Sequence, residues 1–187
     1  LLCMQALGPN LDEVVKERGP LSKQATLAVC RRLIDALQFL HEHSKHAHRD
    51  IKPQNICVAR KANDPTLYLI DFGLASPLFN ERDEHQPLEE VAPKAAANAR
   101  RRVVGSVRYL SVHAHQAVER YGRARRAATS RRCDLEAVAY VAMYLHEGRL
   151  PWSDLPAKTG PEPDVAIHRA KVRVPPLQLV GPALSTT

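Results

Sequence analysis

From Asp134 to Glu147 the chain carries Leu135, Val138, Val141, Ala142 and Leu145 along one helical face, has little charge elsewhere, and is closed by Gly148. A helix so poor in charge has no side suited to water, so it predicts a deeply buried element around which the rest must pack. A second helix supplies a partner. Ser22 is a good cap, and Leu27, Cys30, Leu33, Ile34, Leu37 and Leu40 recur at three- and four-residue spacing up to His43-Ser44, giving an amphipathic helix with one apolar stripe. At 187 residues the chain is long enough for one such core and short for two.

The remaining elements are short. Asn10 is a helix cap, Asp12 and Glu13 suit a first turn, and Gly19-Pro20 is a stop, which predicts a helix over about 10–18. Ile56-Cys57-Val58 and Leu67-Tyr68-Leu69-Ile70 are β-prone runs separated by Ala62-Asn63-Asp64-Pro65, which predicts a hairpin. From Gly73 to about residue 104 no periodicity persists, and a loop of that length in a compact domain usually has a function. Beyond Trp152 prolines accumulate at 156, 161, 163, 175, 176 and 182. Residues 1–155 are therefore expected to form the folded part, and 156–187 a Pro-rich, poorly ordered tail.

Composition removes several function classes. No run reaches the roughly 18 apolar residues of a membrane span, which speaks against a membrane partner. Cys3, Cys30, Cys57 and Cys133 form no C-x-x-C pair, so neither a zinc site nor a disulfide framework is indicated and a reducing, cytoplasmic setting fits. The histidines at 41, 43, 46, 113 and 115 lack ligand-spaced partners for a metal centre. The net charge of +7 is local: ten arginines and one acid lie between Arg100 and Arg132, while Glu81 to Glu90 holds five acids. Such a face is either a solvated loop or an anion-binding surface, and Arg120 to Arg132 has the composition of a nuclear signal or of a plain loop. An aromatic content of 5% and the lack of a recognition motif argue against a nucleic-acid partner.

The densest chemical signal is His48-Arg49-Asp50-Ile51-Lys52-Pro53-Gln54-Asn55, followed at the end of an apolar run by Asp71-Phe72-Gly73. These stretches resemble the catalytic loop and metal loop of a protein kinase. Phosphoryl transfer asks a protein mainly to position groups and offset charge. The resemblance implies that Asp50 orients the attacking hydroxyl and accepts its proton, and that Lys52 lies by the γ-phosphate. Asn55 and Asp71 would hold Mg²⁺ as hard oxygen ligands, with His48, Arg49, Phe72 and Gly73 as structural support. ATP and Mg²⁺ are the implied cofactors.

Three further stretches narrow the resemblance: Gly105-Ser106-Val107-Arg108-Tyr109-Leu110-Ser111-Val112-His113, Ser130-Arg131-Arg132-Cys133-Asp134-Leu135-Glu136 and Gly148-Arg149-Leu150-Pro151-Trp152. They are similar to the casein kinase 1 patterns G-T-A-R-Y-A-S-I-N, S-R-R-D-D-L-E and G-S-L-P-W, and Leu7-Gly8-Pro9-Asn10-Leu11 is similar to that family's L-G-P-S-L. The resemblance implies a serine/threonine kinase with Gln5 to Leu7 as the adenine-binding hinge and Met4 at the gatekeeper. Cys57 and Ile70 would contact the base, Asp134 would brace the catalytic loop, and Arg108 would bind the anion of acidic or already phosphorylated protein substrates.

The expected fold is protein-kinase-like α+β: a mainly α-helical C-terminal lobe with a short β-hairpin and the N-lobe absent. No G-x-G-x-x-G occurs, and no lysine precedes Lys16. Arg120 to Thr129 reads as an insertion. Ala139, His113 and Ser106 stand where the family has Gly, Asn and Thr. Two readings remain open, an incomplete chain of an active kinase and a kinase-like binding module that docks acidic or phosphorylated partners without catalysis.

Overall fold

Asn10 opens the first helix with a reciprocal cap. Its side chain accepts from the Asp12 and Glu13 amides, and Glu13 returns a bond to the Asn10 amide at 2.9 Å. These are features of a computed structural model, which describes residues 5–80, 82, 84, 106–121, 130–155 and 162–173. Met4, Arg100 to Arg102 and nearly all of the insertion after Arg120 lie outside that range, as does most of the loop expected after Gly73.

Helix α1 spans Leu11–Arg18 and α2 spans Lys23–Glu42, the latter capped by Ser22. A two-residue strand β1 (His46–Ala47) leads into the catalytic-loop sequence, which ends in a 3-10 turn at Pro53–Asn55. Strands β2 (Ile56–Val58) and β3 (Leu67–Leu69) pair antiparallel, with Ile56 opposite Leu69. After a second 3-10 turn at Phe72–Leu74, β4 (Ser76–Pro77) returns to pair with β1. Helices α3 (Val112–Tyr121), α4 (Arg131–Glu147) and α5 (Glu162–Arg173) complete the described chain.

As its composition demands, α4 runs through the middle, with Ala137, Val138, Val141 and Leu145 buried and α2 packed along it. Leu33 and Leu37 of α2 meet it in one core with Leu11, Val15, Trp152 and Ile167. Two details depart from the expected stripes. On α2 the buried seam is Thr26, Leu33, Leu37 and His41, while Leu27 and Ile34 are exposed; on α4, Leu135 is exposed. The seam is selected by what α4 offers, and its Asp134 recruits a polar His41 in place of an apolar neighbour. Gly148 ends α4 at φ 72°, where an L side chain would be strained.

The expectation of a poorly ordered tail beyond residue 155 is corrected over 162–173. Pro163 lies in the first turn of α5, where a missing amide costs no helical bond, and Ile167, His168 and Lys171 are buried on the body of the protein. Proline density misled because a proline in a first helical turn starts a helix as readily as it breaks one. Helix α3, which was not among the elements expected from the sequence, packs against α5, with the rings of His115 and His168 stacked 5.4 Å apart.

Burial holds the His115 imidazole down to about 3, with the Lys171 ammonium and His168 adding to the effect. The neutral ring's contribution is whole above its ordinary value of 6.5 and is lost as pH falls from there toward 3. Lowering the pH from about 7 to about 5 should therefore cost the wild type about 2 kcal/mol more than it costs His115→Gln. Urea unfolding at the two pH values measures this, and equal losses would show that His115 is not the group that titrates.

Candidate active site

The catalytic-loop sequence lies across the N-terminal end of α4, where Asp134 is 2% exposed. A carboxylate so deep must be satisfied by donors, and three reach it. His41 Nε2 donates to Oδ2 at 2.8 Å, the His48 amide to the same oxygen at 2.8 Å, and the Arg49 amide to Oδ1 at 2.9 Å. Arg49 sits at φ 72°, a left-handed conformation that costs an L residue about 1–3 kcal/mol unless its surroundings enforce it. The bonds to Asp134 hold the two successive amides that lead into that turn.

His48 is fully buried and uses both ring nitrogens. Nε2 donates to the Ile70 carbonyl at 3.1 Å, and Nδ1 accepts from the Asp50 amide at 3.3 Å. That pattern needs a neutral ring. Burial lowers its proton affinity accordingly, against the pull of the Asp134, Asp50 and Asp71 carboxylates. Phe72 leans on it with ring centres 5.0 Å apart. His48 thereby ties the loop that carries Asp50 to the strand that precedes Asp71.

Asp50 is itself buried and bonded on both oxygens. Oδ2 accepts from Lys52 Nζ at 2.5 Å and from Asn55 Nδ2 at 3.2 Å, and Oδ1 accepts from the Ser106 amide at 3.0 Å. Asn55 also donates to the Asp50 carbonyl at 2.9 Å, and its own carbonyl accepts from the Ile70 amide at 2.9 Å. These side-chain bonds use the Asn55 nitrogen and not its oxygen. Asp71, exposed and at φ 65°, accepts from the Gly73 amide. An amide oxygen and a carboxylate at one end of a hairpin are a donor set that fits Mg²⁺ shared with phosphates.

Along the other edge, the Gly8 amide donates to the Val58 carbonyl and the Val58 amide to the Pro9 carbonyl, both at 3.0 Å, and Asn10 bridges to Cys57. A Cβ at Gly8 would stand 2.7 Å from the Ala59 carbonyl oxygen, so only glycine permits this approach. Cys57 is buried, Leu7 and Ile70 are half-buried and Gln5 is exposed. Burial pushes the Cys57 thiol up, which makes it an inert apolar contact. Arg108 is exposed, and one guanidinium nitrogen donates to the Ser153 carbonyl at 3.3 Å, leaving most of its fork for other acceptors. Its carbonyl accepts from the Trp152 indole at 2.9 Å.

Sequence reasoning did not anticipate the Ser106 amide on Asp50 or His41 on Asp134. The first is a backbone contact with no side-chain signature. The second had a signal, since position 41 follows Leu37 by one helical turn and continues the buried seam.

Residues 1–169 match the family model of the protein kinase domain. The chain belongs to that family, and the mixed helix and strand structure is consistent with its fold. It is a protein kinase by family, a transferase whose substrates are proteins. Among the described residues no helix is long and apolar enough to cross a membrane.

Replacing Asp134 by Ala would strand one buried and one part-buried backbone amide together with His41. The expected loss of stability is about 3 kcal/mol or more. It is read from chemical denaturation, and a loss under about 1 kcal/mol would show that the catalytic loop does not depend on this carboxylate.

Proposed function

We propose that this chain is the hinge and large lobe of a serine/threonine kinase of the casein kinase 1 type, acting on Ser or Thr of acidic or already phosphorylated proteins. The observation that carries the reading is the restraint on Asp50. A carboxylate offers about four acceptor positions, and three are taken by Lys52, Asn55 and the Ser106 amide. The remaining position, on Oδ1, is the place for a substrate hydroxyl to be oriented and to lose its proton. Lys52 spends one of its three donors on Asp50 and has others for phosphoryl oxygens. The donor set of Asn55 and Asp71 suits Mg²⁺, and Gln5, Leu7, Cys57 and Ile70 are the residues that would hold the adenine base.

Mg-ATP, when bound, would supply the phosphoryl group and the cation that offsets its charge. The protein's part is to hold the hydroxyl, take its proton at Asp50 and keep the Lys52 ammonium close. Arg108 would give the substrate preference, because an exposed guanidinium on the turn whose Ser106 amide reaches Asp50 favours an anionic neighbour on the peptide.

Asp50→Asn should lower phosphorylation of casein by the gene product as the cell makes it by at least about a hundredfold. Activity retained in that variant would overturn the assignment. A cover for the phosphates needs a glycine-rich loop and a lysine ahead of the hinge, and the sequence has no G-x-G-x-x-G and no lysine before Lys16. The 187-residue polypeptide alone should therefore bind Mg-ATP only weakly by calorimetry, and micromolar affinity would contradict the dependence on such groups.

A further inference from the structure

Lys171 lies on α5 and is 3% exposed. A buried ammonium has three N–H donors and no acceptor, so it persists only where three acceptors converge. They do here. Nζ lies 3.0 Å from the Val107 carbonyl, 2.5 Å from the Leu110 carbonyl and 3.3 Å from His115 Nε2. The neutral state of His115 leaves that nitrogen free to accept. The faces of Tyr140 and Trp152 close the remaining sides at 4.6 and 5.1 Å from ring centre to nitrogen. Burial pushes the ammonium down to about 7 while the Glu136 carboxylate pulls the other way.

What Lys171 grips is the turn that faces Asp50. The Tyr109 and Leu110 amides fold back onto the Ser106 carbonyl at 2.8 and 3.0 Å, and the Ser106 amide is the donor to Asp50. Trp152 holds the Arg108 carbonyl between the two carbonyls held by Lys171. One face of the turn is thus pinned to the helical body, while its other face presents an amide to the carboxylate and the Arg108 guanidinium to solvent. An apolar residue on α5 could fill the same space but could not bind the Val107 and Leu110 carbonyls. The ammonium therefore acts by direction, whereas volume alone would only exclude water.

We infer that Lys171 is a positioning residue for the protein substrate: through the Val107 and Leu110 carbonyls it sets where the 106–110 turn meets Asp50 and where Arg108 receives an anion. The role in catalysis rests on the kinase reading above, but the grip on the turn does not. Lys171→Met keeps the length and removes the donors. In the gene product as the cell makes it, this variant should raise amide exchange at 106–110 about tenfold or more while exchange in α2 stays within about twofold. Lys171→Arg, which keeps a charged donor, should restore most of the protection. In the same protein the kcat/KM for casein should fall about tenfold with the KM for ATP unchanged, the split expected of a residue that places only one substrate.

Unchanged exchange at 106–110 overturns the inference. So does acceleration spread equally over α2 and α4, which would make Lys171 a general core residue, and so does an arginine variant that behaves as the methionine one. If the exchange pattern holds but the wild-type protein phosphorylates nothing, the kinase reading fails while the grip on the turn stands.

Discussion

Everything around the candidate site depends on one buried carboxylate. Asp134 cannot be taken out of water without donors, and the three it accepts come from a side chain on α2 and two backbone amides of the catalytic loop. A charge in low dielectric is costly when any of these is missing, so helix, loop and helix settle into one arrangement. The strained φ of Arg49, the buried His41 and the direction in which Asp50 points follow from that requirement.

From there the restraint passes outward through backbone. His48 links the loop to Ile70, and Asn55 links it to the same residue from the other side, so Asp50 and Asp71 are carried by one hydrogen-bonded unit. The Ser106 turn then closes over Asp50 from the opposite direction, held in place by α5 and Trp152. Two buried ionic groups, Asp134 beneath the loop and Lys171 behind the turn, thus fix the two surfaces between which a substrate hydroxyl would be presented. Each is fully matched by partners, which is the condition under which buried polarity gives a single geometry.

Much of this was legible in the sequence, unevenly. The capping box at Asn10 and the Ser22 cap are local signals, because their bonds join residues two or three apart, and the hairpin is legible because one turn brings together strands whose partners lie nine to thirteen residues apart. The stripe on α2 was legible in period but wrong in membership at Leu27 and Ile34, since burial depends on which neighbour arrives. The region beyond residue 155 was misread for the same reason: Ile167 of α5 joins the common core and Lys171 binds carbonyls some sixty residues away in sequence, and proline content carries no trace of them.

The sequence by itself determined which chemical groups are available and in what order: a carboxylate, an ammonium two residues on, an amide five residues on, and a second carboxylate after a short hairpin. That order suffices to mark a protein kinase, because phosphoryl transfer needs few groups and fixes their types. Only the tertiary structure decided which of Asp50's acceptor positions are filled, that the Ser106 amide fills one of them, and that a lysine near the end of α5 stands behind it. These contacts run through backbone atoms, which every residue shares, and join segments far apart in the chain. They are set by how the helices pack, and no run of residue types spells them out.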